Sequence, residues 1–206
     1  MATTDAECAL KTGLRRLWAD HVIWTRQYIV AAVSDLPDAS AAAGRLLKNQ
    51  EHIGAAIVPF YGQAAGARLT ELLKQHIMIA VDLLAAAKAG DDARFQEEDR
   101  KWTNNAGDIA ALLSGANPYW PKSDVFDLLA THLKLTKDEA VARLTGKWND
   151  DVIAFDDIFT EILTVADTLT AGIVAQFPDR FTAQPTPVAV VVPERRGLAG
   201  LFARRR

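Results

Sequence analysis

The stretch Leu69 to Ala89, LTELLKQHIMIAVDLLAAAKA, limits what this chain can fold into more than any other. Leu69, Leu72, Ile79 and Leu83 fall at spacings of three, seven and four, with His76 filling the gap. That is one face of a 3.6-residue helix. Met78, Val81 and Ala85 load the other side with apolar atoms, and a helix apolar nearly all round belongs inside a core. At roughly 21 residues the stretch is also long enough to span a bilayer. Glu71, Lys74, Gln75, His76 and Asp82 argue against that, because ionisable groups are expensive in lipid. Gly66 precedes the stretch, and Gly90 follows it as a natural helix C-cap.

Helical spacing recurs along the chain. It predicts a helix over 5–33, capped by Thr4, with the stripe Leu10, Leu14, Leu17, His21, Trp24 and Tyr28. A second covers 39–58 and stops at Pro59, with Leu46, Ile53 and Ile57 on its face and Asn49 among them. After the central stretch, Asp91-Asp92 supplies an N-cap for a helix with the stripe Phe95, Trp102, Asn105, Ile109 and Leu112, ending at Ser114-Gly115. Ser123 is expected to cap a short helix to about Leu135. The box Thr136 to Glu139 is expected to open another, ending near Gly146. A last helix covers 149–177, its stripe reaching back to Trp148 through Phe155, Asp151 and Ile158. Trp18, Trp24, Trp102 and Trp148 read as core residues.

No strand-like alternation occurs before residue 186, and no repeat is visible. The expected fold is therefore all-α: an antiparallel helical bundle of four to five long helices plus two short ones. It fills residues 1–181. Residues 182–206 form a Pro-containing linker and a basic, disordered tail.

Half of the 206 residues are apolar, so one domain can build its core without disulfides or metal. Cys8 is the only cysteine, and the N-terminus lacks an apolar signal-peptide core, which favours a cytoplasmic location. The net charge is −3, of which the last 25 residues contribute +4, leaving the body at −7. A body that acidic does not wrap nucleic acid. The segment from Thr131 to Trp148 imitates a helix-turn-helix, but Asp138 and Glu139 deny its second helix a phosphate-binding bias.

The most informative pattern is polar. His21, Asn49, His76 and Asn105 each occupy an apolar-stripe position near the middle of a different helix. In an antiparallel bundle with short turns these midpoints share one height, so the four side chains meet in one core layer. Such a layer either satisfies itself, fixing helix register, or holds a ligand. For a divalent metal the candidates are His21, His76 and Asp108, since imidazole plus carboxylate suits zinc or non-haem iron. The Glu-x-x-His spacing of di-iron bundles is absent: Trp18, Asn49, Leu73 and Leu129 stand three residues before the histidines. A neutral small-molecule pocket is the other expectation. His132 reads as a C-terminal cap, His52 as a surface residue, and Asp151 as a partner of His132 or of the helix dipole. Nucleophile-elbow, Walker and dinucleotide-binding motifs are missing.

The segments LRRLWADHVIWTRQYI, RLLKNQEHIGAAIVPFYG, LLKQHIMIA, KWTNNAGDIAALLS and HLKLTKDEAVARL resemble an uncharacterised bacterial family of small soluble helical proteins. The likeness spans roughly residues 14–181; it implies an all-α fold and supplies no catalytic residue. The tail is similar in style to the cargo-loading peptides that dock proteins inside encapsulin shells. Leu198, Leu201 and Phe202 fall at i, i+3 and i+4, beside Arg204 and Arg205. These five are the expected partner-docking residues. The leading expectation is thus a non-catalytic binding module docked to a protein partner through its tail. A metal-dependent redox enzyme, as possible encapsulated cargo, is the alternative. Weak membrane-surface attachment is a third.

Overall fold

A computed structural model of the chain describes residues 4–182. They form five helices: α1 (Asp5–Val33), α2 (Ala39–Ala89), α3 (Asp92–Ala116), α4 (Lys122–Leu144) and α5 (Trp148–Gln176). A 3-10 turn, Pro178–Arg180, follows. No strand occurs among the described residues. Leu198, Leu201, Phe202, Arg204 and Arg205 lie outside them.

Local chemistry sets several helix ends. Thr4 Oγ1 accepts the Glu7 N–H at 3.2 Å, and Asp91 Oδ1 accepts the Arg94 N–H at 3.0 Å, each satisfying a first-turn donor. Gly90 closes α2 at φ 68°, the left-handed region glycine adopts without penalty.

The expectation that Pro59 stops a helix is corrected. Helical structure runs past Pro59, and the break comes at Gly62, with φ 82° and ψ 169°. There the chain doubles back. Lys74 Nζ lies 2.6 Å from Glu51 Oε1, whereas a straight helix would hold those residues about 34 Å apart. So α2 is two antiparallel arms, 39–61 and 63–89. Gly54 and Gly66 face each other across the arms so closely that a Cβ on Gly54 would sit 2.6 Å from the Gly66 carbonyl oxygen.

The two short helices expected over 123–146 are one, α4. Thr136 opens nothing: its hydroxyl donates to the His132 carbonyl at 2.9 Å, one turn back in the same helix. The cap expected of Ser123 falls instead at Pro121. Two burial expectations also fail. Met78 is 49% exposed and Ala85 is exposed, so the central stretch has a wet side. Trp148 is 57% exposed, its ring lying under the Arg143 guanidinium.

Sequential helices pack side by side, and α5 returns against α1, closing the bundle. Leu72, Trp102, Ile109 and Ile162 are at most 2% exposed in its core. Each such side chain contributes roughly 1.5–3 kcal/mol. By length and composition α5 could cross a bilayer, with an apolar window of mean hydropathy 1.5, yet half of that window is buried within the bundle. Its contacts with α1 and α4 account for the apolar face.

Candidate three-histidine site

Three imidazoles meet in the core. His21 comes from α1, His76 from the second arm of α2 and His132 from α4, and all are at most 4% exposed. Ring centroids are 5.4 Å apart for His21 and His132, 6.3 Å for His76 and His132, and 6.4 Å for His21 and His76. The first pair faces Nε2 to Nε2 at 3.4 Å.

Neighbouring groups fix the protons. Asn105 Nδ2 donates to the Leu72 carbonyl, so Asn105 Oδ1 accepts the His76 Nδ1–H at 3.0 Å. His76 Nε2 is thereby a free lone pair. Glu161 Oε2 stands 3.2 Å from His132 Nδ1 and can only accept there, which leaves His132 Nε2 bare as well. The 3.4 Å contact then requires the proton on His21 Nε2. His21 Nδ1 in turn accepts from Gln50 Nε2 at 3.2 Å. These tautomers follow from the network as a whole. The result is a directional chain from Gln50 through His21 and His132 to Glu161.

Two of the rings are held neutral. Burial pushes His21 well below the usual imidazole range, and charge on His132 or His76 would push it further. His76 falls to about 3, again mainly through burial. A buried neutral imidazole that donates its Nδ1–H and keeps Nε2 bare is the form in which histidine binds metals; His76 has it, whereas His21 holds the opposite tautomer.

Their spacing has a scale. Two nitrogens at about 2.05 Å from a tetrahedral zinc lie about 3.35 Å apart, with ring centroids about 5.2 Å apart. His21 and His132 match that bite, and the His76 ring is about 1 Å too far out. Accordingly, among the described residues no group of three or more His, Cys, Asp or Glu side chains stands where it could hold a metal ion. The rings border a cavity of ≈ 40 Å³ whose other walls include Ile29, Ile77, Leu83, Leu84 and Trp102. Thr25 and Thr136 also line it, but their hydroxyls turn back to the His21 and His132 carbonyls.

Of the residues expected in one layer, His21, Asn49, His76 and Asn105 are all buried in the core. Asn49 stands one step from the rings: its Nδ2 donates to the Leu17 carbonyl and its Oδ1 accepts from Gln50. Asp108 is corrected: it is exposed, on the outer side of α3, and does not border the cavity. Asp82 pairs with Arg94 at the surface. His132 is no helix cap but the third ring, and Asp151 does not pair with it. Asp151 instead joins Glu139, Arg26 and Arg143 in a separate ionic cluster between α1, α4 and α5. His52 is exposed, as its sequence position implied. Gln50 and Glu161 carry no periodic signal. His132 had one, since Val125, Leu129, His132, Thr136 and Ala140 mark a single buried stripe once α4 is read as continuous.

No family model, no curated protein sequence and no solved structure matches the chain.

Proposed function

We propose that this protein is a metal-binding helical bundle, in which His21, His76 and His132 hold one divalent transition ion of the zinc or iron class. The observation that carries the reading is the convergence of three buried imidazoles from three helices, each with its Nδ1 already engaged. His76 and His132 donate that Nδ1–H to an oxygen as ligating histidines do, and His21 must exchange its tautomer on binding. Nitrogen donors without thiolate select zinc, iron, copper or nickel over magnesium or calcium. His132 takes the place first given to Asp108. Binding draws the His76 ring inward by about 1 Å to complete the three-nitrogen set.

The cavity size favours this over an organic ligand. Drug-sized ligands occupy pockets of about 300–1,000 Å³. A space of ≈ 40 Å³ suits an ion and a few water-sized groups.

Elemental analysis of full-length protein, dialysed against zinc and then against metal-free buffer, tests the reading. One equivalent per chain is expected, falling below ~0.1 in His76→Ala and in His132→Ala. Fewer than ~0.1 equivalents in the unmutated protein would remove the idea.

The second part of the proposal concerns the tail. Its +4 charge opposes the −7 of the body, and Leu198, Leu201 and Phe202 give it an apolar face. We place it as the docking element for a protein partner of a cytoplasmic bundle. Deleting residues 183–206 should leave the thermal midpoint unchanged, because the described core closes without them.

A further inference from the structure

We infer that the partner of the tail is a second copy of this chain. Residues 194–206 of one copy dock on the exposed acidic and apolar face where α4 meets α5 of the other, in a two-fold dimer. This rests on the reading of the tail as a docking element and is independent of the histidine cluster.

Half of the large apolar side chains exposed among the described residues sit in one place. Val141, Trp148, Val152 and Ile153 stand at the junction of α4 and α5, each 48–59% exposed. Asn149, Val152, Ile153, Asp156 and Asp157 follow one another at helical spacing along the outer face of α5. Trp148 stands one turn before Val152, with Arg143 over one side of its ring. On the Asp150 flank a groove of ≈ 290 Å³ runs between the helices, with Val141, Ala142 and Ala154 in its wall. Apolar side chains gathered in this way and rimmed by charge mark a surface that a partner covers.

The charge of that rim is negative. Lys137, Asp138 and Arg143 are already paired, with Asp99, Lys134 and Asp151. Asp150, Asp156 and Asp157 are exposed and form no ion pair among the described residues; Lys147, likewise unpaired, offsets one of them. What fits is a short segment with a few apolar side chains on one side and arginines around them. The tail has that pattern: Leu198, Leu201 and Phe202, flanked by Arg195, Arg196, Arg204 and Arg205.

Distance favours a neighbour's face over the chain's own. The tail leaves α5 at the end opposite the patch, and Val152 and Gln176 are about 36 Å apart along the helix. Leu198 stands sixteen positions after Thr182. A linker of that length reaches about 20–24 Å on average. Covering its own patch would draw it out well beyond that. Two copies with α5 antiparallel bring the C-terminal end of each α5 beside the patch of the other, and one such pairing satisfies both tails at once.

Sedimentation equilibrium of the full-length chain tests this. A reversible monomer–dimer equilibrium is expected between about 1 and 100 μM. It should weaken roughly tenfold when salt rises from about 50 mM to about 500 mM. Two double variants should be monomeric over that range: Val152→Asp with Ile153→Asp on the face, and Leu201→Asp with Phe202→Asp in the tail. Mixed in equal amounts they should dimerise again, more weakly than the parent, because one intact tail meets one intact face. The face variant replaces only exposed side chains, so its thermal midpoint in dilute solution should equal the parent's. A parent chain that stays monomeric, a variant that still dimerises alone, or a mixture that stays monomeric overturns this inference and leaves the tail to a foreign partner. A lowered midpoint on deleting residues 183–206 from the dilute protein overturns the docking reading and this inference together.

Discussion

His21 Nε2 and His132 Nε2 stand 3.4 Å apart, although 111 residues separate them in the chain. In the metal-free protein the contact is an N–H···N hydrogen bond. It is also the bite of a tetrahedral ion, so binding displaces one proton and leaves two rings nearly in place. His132→Ala removes both roles. It strands the Glu161 carboxylate and the His21 N–H, costing about 1–3 kcal/mol for each unpaired group. Chemical denaturation should report that loss, and competition with a coloured chelator should report zinc affinity lower by at least about 100-fold.

Gln50 offers a sharper test. Its amide nitrogen faces three acceptors, at Leu46, Asn49 and His21, with two hydrogens to give. Its Oε1 is buried with no partner among the described residues. A metal on His21 Nε2 moves the ring proton to Nδ1, where an acceptor is then needed. Gln50→Glu supplies one, as Glu161 does for His132. The variant should be less stable than the parent without metal, because a carboxylate is buried, and should bind zinc about tenfold more tightly. Unchanged or weaker zinc binding would show that His21 is not a ligand.

The pH dependence of the metal-free protein has a definite sign. His21 and His76 are held neutral by burial, His76 down to about 3 against an ordinary 6.5. The unfolded chain therefore binds more protons than the folded one below pH 6.5. Stability is lost on acidification, at about 1.4 kcal/mol per pH unit for each ring. Glu139 opposes this. Burial raises its carboxyl to about 7, despite the Arg26 guanidinium beside it, so folding takes up a proton between 4.5 and 7. From pH 6.5 to 4.5 two histidines work against one glutamate. Below 4.5 the glutamate drops out and the slope steepens. Urea midpoints measured across this range should show that break, and Glu139→Gln should steepen the upper limb, leaving the part of the break due to Glu51, Glu97 and Asp167, whose cationic partners hold them below the ordinary carboxylate range.

The long helices and the polar layer were legible because period 3.6 and an apolar stripe interrupted by His or Asn are local signals. The parts that were not legible depend on partners distant in sequence. Glu161 matters only because α5 packs beside α4 at the height of His132. Asp108 looked suitable one turn from Asn105, yet the rotation of α3 that buries Asn105 turns it outward. Thr136-x-x-Glu139 imitates a capping box. Glu139 is instead drawn into the core by Arg26, 113 residues away, and the helix runs through. Pro59 misled for a simpler reason: proline removes one helical hydrogen bond, and tertiary packing between the arms of α2 outweighs that loss.

That packing is open to measurement. Gly54 and Gly66 bring the arms of α2 together so tightly that no β-carbon fits. A methyl on Gly54 would land on Thr70 Oγ1 and 2.6 Å from the Gly66 carbonyl oxygen; one on Gly66 would lie 2.7 Å from the Gly54 carbonyl oxygen. A threonine side chain can rotate away, but a helical carbonyl cannot without moving its arm. Gly54→Ala should therefore cost about 1–3 kcal/mol, the range for overpacked cores. The strain has a second consequence, because the first arm carries Gln50 and the second carries His76. Pushing the arms apart carries the His76 ring outward, away from the His21 and His132 pair. Zinc affinity should fall together with stability, whereas Gly44→Ala, exposed on the first arm with nothing within 4 Å of the added carbon, should leave zinc affinity unchanged and raise stability by about 0.5–1 kcal/mol. A Gly54→Ala protein as stable as its parent would mean that the arms are not held at this distance.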